Sequence, residues 1–400
     1  MAKLKLVSPL RWPFKRDLSL NSPAKWFALF GGDKTSSGAE VDQETSLKFT
    51  AVLAAVSLRG DLVAASPKEI MVSSGKNRQP DYKHPLYRIL AYEPNPFMNA
   101  YTWWELNHTY LDLWGNAYNL ISRQGKKVTA LSPIHPARVK VEVKDGKLVY
   151  TVDGTGNSSL DGEHAPKDIL HFRDLTLDGY MGQSRIMLAR EAIGLGLAAE
   201  KFGGEFFGNG SQARGVIEHP TQMGDDAYNR FKQSWESKDN MSTPILEEGM
   251  VYKQITIPPE AAQFIASREF QVQDVSRIFR IPPPLLGDLS RATFSNIENL
   301  DLQMVKYTIR PLVKRYEQEC ELKLLSDLGK ENIRFNLDGI LRGDTAARSA
   351  YYTVMKQMKI MTTNEIRALE NMNPIEGGDI LENPSTSSNN GETQGSNGTV

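Results

Sequence analysis

Residues 279–287 read Phe-Arg-Ile-Pro-Pro-Pro-Leu-Leu-Gly, with a helical pattern ending before them and another beginning after. Three successive prolines cannot continue a helix, because each lacks a backbone donor and has φ fixed at about −65°. The run is therefore a stiff loop between two helices. Its last two side chains, Leu285 and Leu286, are expected to be exposed. Whatever this chain folds into must hold a rigid loop between long helices.

Those helices are legible from apolar spacing. Leu188, Ala192, Leu195, Ala199, Phe202 and Phe206 form one continuous stripe over 184–209. Ala261, Ile265, Arg268, Val272, Val275 and Phe279 form a second. A third runs over 297–325 through Ile297, Leu300, Met304, Tyr307 and Pro311, beside Leu302, Val305, Ile309, Leu312 and Tyr316. Pro311 inside that pattern predicts a kink near Arg310.

The N-terminal half reads differently. An Ala/Val/Leu-rich helix over 47–65 stops before Pro67, and a short strand follows at 69–72. A helical turn begins at Pro85, and an aromatic helix covers 100–114. Period-two alternation then runs from 115 to 150, with Asp145-Gly146 as a hairpin turn. A strand at 169–172 completes an α+β unit over 45–180. Between the first two long helices, a helix (225–237) is flanked by strands at 215–218, 243–246 and 251–257. A strand at 333–337 follows the third. Asp344 caps a helix reaching about residue 358, and Thr362 with Glu365 has capping-box spacing for a last helix ending at 371–374. Residues 1–40 are expected to order only against a partner, and 383–400 are too polar to order at all.

The 400 residues carry a formal net charge of −1, which excludes a strongly basic nucleic-acid clamp. Cys320 is the single cysteine, so no intrachain disulfide or Cys-rich zinc site is possible and a reducing compartment fits. No signal peptide is recognisable, and no stretch approaches the ~20 apolar residues that span a bilayer. A soluble intracellular protein without a membrane partner is expected.

Catalytic motifs fare poorly. Gly194-Leu-Gly196-Leu-Ala-Ala199 and Gly208-Asn-Gly210-Ser-Gln-Ala213 match a loose dinucleotide pattern. The first lies inside a helical stripe and the second at a helix stop, so neither has the strand–turn–helix context that pattern needs. The six histidines (84, 108, 135, 164, 171 and 219) show no metal-ligand spacing. There is no P-loop for ATP hydrolysis and no nucleophile elbow. The acidic pairs Asp225-Asp226 and Glu247-Glu248 read as solvated faces, because adjacent residues on a helix point apart. Two Arg-Gly-Asp triplets, at 59–61 and 342–344, are not adhesion motifs in an intracellular chain. Trp103, Trp104, Tyr110, Trp114 and Tyr118 read as core rather than a stacking platform. The expectation is no enzyme, no cofactor and no metal.

The order of several weak motifs is more informative than any one. Pro94-Asn-Pro-Phe97, Trp103-Trp-Glu105, Trp114-Gly-Asn-Ala-Tyr118, Phe206-Phe-Gly-Asn-Gly210, Leu246-Glu-Glu-Gly249, Ile278 to Gly287, Asn336-Leu-Asp-Gly339 and Ile375-Glu-Gly-Gly-Asp379 recur in sequence. In these the chain resembles the portal proteins of tailed bacteriophages, in the family of long-tailed phages with a lambda-like assembly plan. The likeness runs from about residue 46 to 379. Gly182-Gln-Ser184-Arg185 departs from it, where relatives commonly place Ser-Pro-Leu, and is expected to affect only how the first long helix starts.

The resemblance implies an α+β portal fold in a dodecameric ring at one capsid vertex, with double-stranded DNA passing through its channel. It implies an arm (1–44), an α/β wing (45–183 with 326–342), an antiparallel helical stem (184–209 and 259–281) and a small α/β clip (210–258). A tunnel loop (282–296), a kinked channel helix (297–325), a helical crown (343–382) and a disordered tail (383–400) complete it. The tunnel-loop residues to reach DNA would be Leu285, Leu286, Arg291 and Phe294. The implied partners are the terminase large subunit at the clip, later replaced there by a head–tail adaptor, and major capsid or scaffold protein at the wing. Arg185, Arg190 and Lys201 balance Glu191, Glu200 and Glu205 along the first stem helix, and Arg268, Arg277 and Arg280 balance Glu260, Glu269 and Asp274 along the second. A conduit needs that balance, since each phosphate contact adds affinity and would stall moving DNA. The alternatives are another ring-forming head–tail adaptor, and a metal-dependent nuclease or hydrolase using Asp225, Asp226 or a histidine.

Overall fold

The computed structural model describes residues 34–75, 77–154, 160–208, 215–221, 223–236, 249–254, 261–289, 294–341, 345–370 and 372–381. A 3₁₀ turn (Thr45–Lys48) leads into α1 (Thr50–Ala65), which ends as expected before Pro67. β1 (Lys68–Ser74) and β2 (Asn77–Pro80) follow, then α2 (Pro85–Ala91). The aromatic helix is α3 (Ala100–Trp114). The Asn99 side chain caps it by accepting from the Thr102 amide at 2.9 Å, and Gly115 ends it at φ 75°. Only glycine fits there, because a Cβ would lie 2.4 Å from the Gln183 carbonyl.

The alternating stretch resolves into β3 (Asn116–Gln124), β4 (Lys127–Ile134), β5 (Val139–Lys144) and β6 (Lys147–Val152). Asp145 (φ 50°) and Gly146 (φ 75°) join the last two. Two positive φ values give the twist a two-residue hairpin needs. β7 (Gly162–His164) adds to β6, and β8 (Ile169–Arg173) pairs with β3. Among the described residues every paired strand is antiparallel, and β1 pairs with β11 (Glu331–Phe335), placing Ile70 opposite Ile333. That ladder binds the segment after residue 325 to the N-terminal unit. Separate antiparallel sheets and packed helices make the fold α+β.

Trp103 and Trp104 are fully buried at the centre of the core. The Trp104 ring meets Phe335 edge-on at 4.9 Å and Tyr316 at 5.6 Å, and its indole N–H donates to the Leu90 carbonyl. Tyr118 is buried too, while Tyr110 and Trp114 pack half-buried around His135. The aromatic run is core, as its spacing indicates.

The first long helix is not continuous. α4 (Arg185–Leu188) ends at Ala189, whose ψ of 18° leaves the helical range, and α5 (Arg190–Gly208) resumes at once. Along the expected stripe Leu188, Leu195 and Phe202 are exposed, while the neighbouring Ile193, Gly194 and Gly196 are buried. The glycines admit neighbours. A Cβ on Gly194 would lie 2.5 Å from the Thr35 side chain, and one on Gly196 would lie 2.7 Å from the Phe49 ring. The loose dinucleotide match is thus a packing seam. It also corrects the reading of the arm: residues 34–44 order against this chain's own α5, with Thr35 and Val41 buried and the Ser36 amide donating to Glu191 at 3.0 Å.

β9 (Gly215–Glu218), α6 (Asp225–Glu236) and β10 (Val251–Gln254) form the insertion, with Gly215 opposite Gln254. The strand expected at 243–246 and the end of that at 251–257 lie outside the described residues. α7 (Ala261–Phe279) returns antiparallel to α5, since Arg185 contacts Ile278 at one end and Glu200 contacts Arg268 further along.

The third helix is α8 (Phe294–Met304), a π turn (Val305–Ile309) and α9 (Arg310–Leu324). In an unbroken α-helix the Pro311 ring would strike the Tyr307 carbonyl. The π turn, closed by the Arg310 amide on the Val305 carbonyl, widens the helix just ahead of that clash.

α10 (Asp338–Leu341), α11 (Thr345–Gln357) and α12 (Thr363–Leu369) are the last helices among the described residues, and Asp344 lies outside them. The capping box forms: Thr362 accepts from the Glu365 amide at 3.1 Å, and Glu365 accepts from the Thr362 amide at 2.7 Å. α12 stops short of 371–374 because the chain folds back, the Ile375 amide donating to Asn364 at 2.8 Å. The arm before residue 34 and the tail from 383 lie outside the described residues.

Candidate nucleic-acid interface

The proline loop is rooted firmly. Arg280 leaves α7 at φ 57°, and its carbonyl accepts from the Thr308 hydroxyl at 2.6 Å. Ile281 is buried; its amide donates to the Ser276 carbonyl at 3.0 Å and its carbonyl accepts from the Ser276 hydroxyl at 2.5 Å. Pro283–Leu286 form a 3₁₀ turn closed by the Gly287 amide on the Pro284 carbonyl, with Gly287 at φ 90°. The prolines fall where a first turn needs no donors.

Leu285 and Leu286 correct the sequence reading. They are half-buried and pack against the main core, so they belong to the root rather than to a projecting tip. The 3₁₀ turn folds them inward, which residue type could not reveal. Leu289 is the exposed leucine, at 65%. Arg291 lies outside the described residues, Phe294 opens α8, and Pro311 sits in the first turn of α9.

The long hairpin carries ion pairs of its own. Glu200 meets Arg268 across it at 3.1 Å, Lys201 lies 3.9 Å from Glu205, and Arg277 pairs with Asp274 at 2.5 Å. Such exposed pairs add little stability. Their consequence is a surface with little net field to hold a polyanion.

Where the hairpin meets the core lies a buried ionic joint that the sequence reading missed. Arg59 from α1 stands 3.0 Å from Asp112 of α3, and His108 Nε2 stands 3.0 Å from the other carboxylate oxygen. The Tyr316 hydroxyl of α9 lies 2.9 Å from His108 Nδ1. Arg185 bridges Asp174 at 2.5 and 2.9 Å, reaches to 3.9 Å from Asp112 and donates to the Ile278 carbonyl at 2.8 Å. Arg315 adds a contact to Asp174 at 2.6 Å. Burial works against ionisation of Asp112, but Arg59, His108 and Arg185 hold its carboxyl below the usual range. The 182–185 departure thus does more than start a helix. Ser184 does cap α4, accepting from the Met187 amide at 3.2 Å, and Arg185 ties both hairpin helices to the core. The available signal was His108 and Asp112 four apart on a helix rich in aromatic residues.

Among the described residues no three His, Cys, Asp or Glu side chains converge as metal ligands. Asp225 and Asp226 stand exposed in the first turn of α6, where carboxylates complement the helix dipole.

A family model described as phage portal protein matches residues 50–371. The portal protein of Enterobacteria phage HK97 is 31% identical over 354 residues, covering 86% of this chain and 83% of that protein. The probable portal protein of Streptomyces phage phiC31 is 30% identical over 366 residues, covering 87% and 79%. Among solved structures, the neck of an empty gene transfer agent particle is similar with TM-score 0.57 at 20% identity, covering 85% of this chain and 98% of that one. A crystal structure of an HK97-family phage portal protein from Corynebacterium diphtheriae is similar with TM-score 0.57 at 15% identity, covering 74% and 95%.

Proposed function

This chain belongs to the phage portal protein family, and from that premise we propose that twelve copies form a ring at one capsid vertex. Its function is that of a portal, the head–tail connector through which double-stranded DNA is packaged and ejected. The twelvefold count follows a similar neck, that of a native gene transfer agent particle computed with C12 symmetry (TM-score 0.55, 18% identity, covering 84% of this chain and 94% of that one).

The observation that carries the conduit reading is the hairpin of α5 and α7. It is long and antiparallel, and several of its charges pair within the chain, which suits a wall past which a polyanion must slide. In this reading 45–183 with 326–342 are the wing, 184–209 and 259–281 the stem, 210–258 the clip and 343–382 the crown. The loop from Pro282 to α8 is the tunnel loop, with Leu289, Arg291 and Phe294 as its DNA-facing residues. Leu285 and Leu286 form its root. The chain acts as a passive conduit without catalytic activity. The terminase large subunit supplies the work from the clip, and a head–tail adaptor later takes that place. Major capsid or scaffold protein meets the wing. Assembly takes place in the host cytoplasm, and the finished ring resides in the virion.

The test replaces residues 289–293 with glycine and serine. Rings of unchanged size in negative stain, together with lost packaging or retention of DNA, are expected. Normal packaging by such rings would overturn the tunnel-loop assignment, and a wild-type monomer that cuts DNA with Mg²⁺ would overturn the conduit.

A further inference from the structure

A groove of about 570 Å³ runs between β11 and the stretch formed by α9 and the π turn before it. Lys306, Arg310 and Lys314 stand four residues apart, about one turn each, and line the groove from the helix side. Arg334 lines it from the strand. All four side chains are exposed. The carboxylates of the lining are Glu317 and Asp338, so four cations face two anions.

Both carboxylates are engaged already. Glu317 accepts from the Lys314 ammonium and from the Phe335 amide, each at 2.9 Å, and Asp338 pairs with Arg334 at 2.9 Å. Among the described residues Lys306 and Arg310 pair with no carboxylate, and the Lys306 ammonium lies 5.2 Å over the Tyr307 ring. The surplus positive charge is therefore open to a partner of opposite sign.

The rest of the lining says what else that partner brings. Pro311, Val313, Phe335 and Leu337 lie between the charges, so the groove has an apolar floor under a cationic rim. Duplex DNA has phosphates for the rim but no apolar side chain for the floor, and its rigid convex cylinder is the wrong shape for a groove. The strand edge is closed as well. The Ile333 amide donates to Glu321 at 3.1 Å and the Phe335 amide to Glu317 at 2.9 Å, so an incoming chain cannot join β11 as a further strand through those donors. Recognition falls to side chains.

We propose that this groove docks an extended segment of a partner protein in which aspartate or glutamate alternates with apolar residues, its carboxylates meeting Lys306 and Arg310. The groove is formed within one chain, so the inference does not rest on the ring.

Fluorescence anisotropy on the full chain tests it, with a labelled peptide repeating Asp-Leu-Glu-Gly as the probe. The wild-type chain should bind this peptide, and more weakly as salt is raised. Lys306→Gln with Arg310→Gln should weaken binding about tenfold and leave Tm unchanged, because both side chains are exposed and neither holds an ion pair. Lys126→Gln with Lys127→Gln removes the same charge from the exposed tip of the β3–β4 hairpin and should leave binding as in wild type. Lys306→Glu with Arg310→Glu should shift the preference to a peptide repeating Lys-Leu-Lys-Gly. A wild-type chain that ignores the acidic peptide, or one that binds it equally after the Lys306 and Arg310 changes, would overturn the inference. An equal loss in the Lys126 and Lys127 variant would overturn it too, by reducing the effect to net charge. A labelled DNA duplex that binds in place of the peptide, and is lost with Lys306 and Arg310, would assign the groove to nucleic acid instead. Peptide binding by a chain that never forms rings would leave this inference standing and overturn the ring reading alone.

Discussion

Arg59 and Asp112 face each other at 3.0 Å with both side chains closed to water, although they come from helices 53 positions apart in the chain. Among the described residues neither Asp112 oxygen receives a directed hydrogen bond, so the contact is held by charge rather than by donor alignment. Removing one partner strands the other in a low-dielectric core. Asp112→Ala should therefore cost about 3–5 kcal/mol in urea unfolding. Arg59→Met with Asp112→Leu should cost less than the sum of the two single changes, because no lone charge remains. Additive costs would mean that the pair does not interact.

The close approach at Gly194 gives a second expectation. An alanine methyl at Gly194 overlaps Thr35, whose segment lies over α5 and whose neighbour Ser36 binds Glu191. Gly194→Ala should release residues 34–44 to protease and lower stability by about 1–3 kcal/mol. Thr35→Gly should restore part of the loss by opening room for the methyl. Wild-type protease resistance in Gly194→Ala would show that the segment does not pack there.

Lys68 gives a pH dependence. It is buried, and that burial pulls its ammonium down to about 7, although the Val63 and Ala64 carbonyls and the Trp104 and Phe335 rings favour the charged form. An unfolded lysine titrates at about 10.4. Between these values the unfolded chain binds the extra proton, so stability should rise with pH across that window and fall as pH drops through 7. Urea midpoints from pH 6.5 to 10 should show the rise, and Lys68→Met should flatten it. A midpoint equally flat in wild type and variant would contradict the shift.

How much of this was legible in sequence depends on the range of the interaction. The Asp145-Gly146 turn and the Thr362–Glu365 capping box are set by neighbours a few residues apart, and both form as read. The long helices likewise follow from local spacing. Arg59, Asp112 and Arg185 each look like ordinary charges within their own stretch, and only tertiary packing buries them together. An apolar stripe says that a helix is there without saying what each of its side chains packs against, so the spacing through Leu195 gave the helix and not its surroundings. The prolines before Leu285 announced a stiff loop, yet stiffness does not say which way the leucines turn.

That turn can be measured. Leu285 and Leu286 are half-buried against the core, while Leu289, three residues further on, is 65% exposed. Full burial of a leucine loses about 2–5 kcal/mol on truncation, so partial burial should lose roughly half as much. Leu285→Ala and Leu286→Ala should each lower stability by about 1–2 kcal/mol, whereas Leu289→Ala should stay within about 0.5 kcal/mol of wild type. The functional effects should run the other way. On the proposed tunnel-loop assignment, rings carrying Leu289→Ala should assemble normally and lose DNA packaging or retention, because that exposed side chain would be the one to meet the duplex. The Leu285 and Leu286 variants should show packaging defects only in proportion to the rings they fail to form. Equal stability loss at all three positions would place Leu289 in the root as well, and no loss at Leu285 and Leu286 would return those two side chains to the tip.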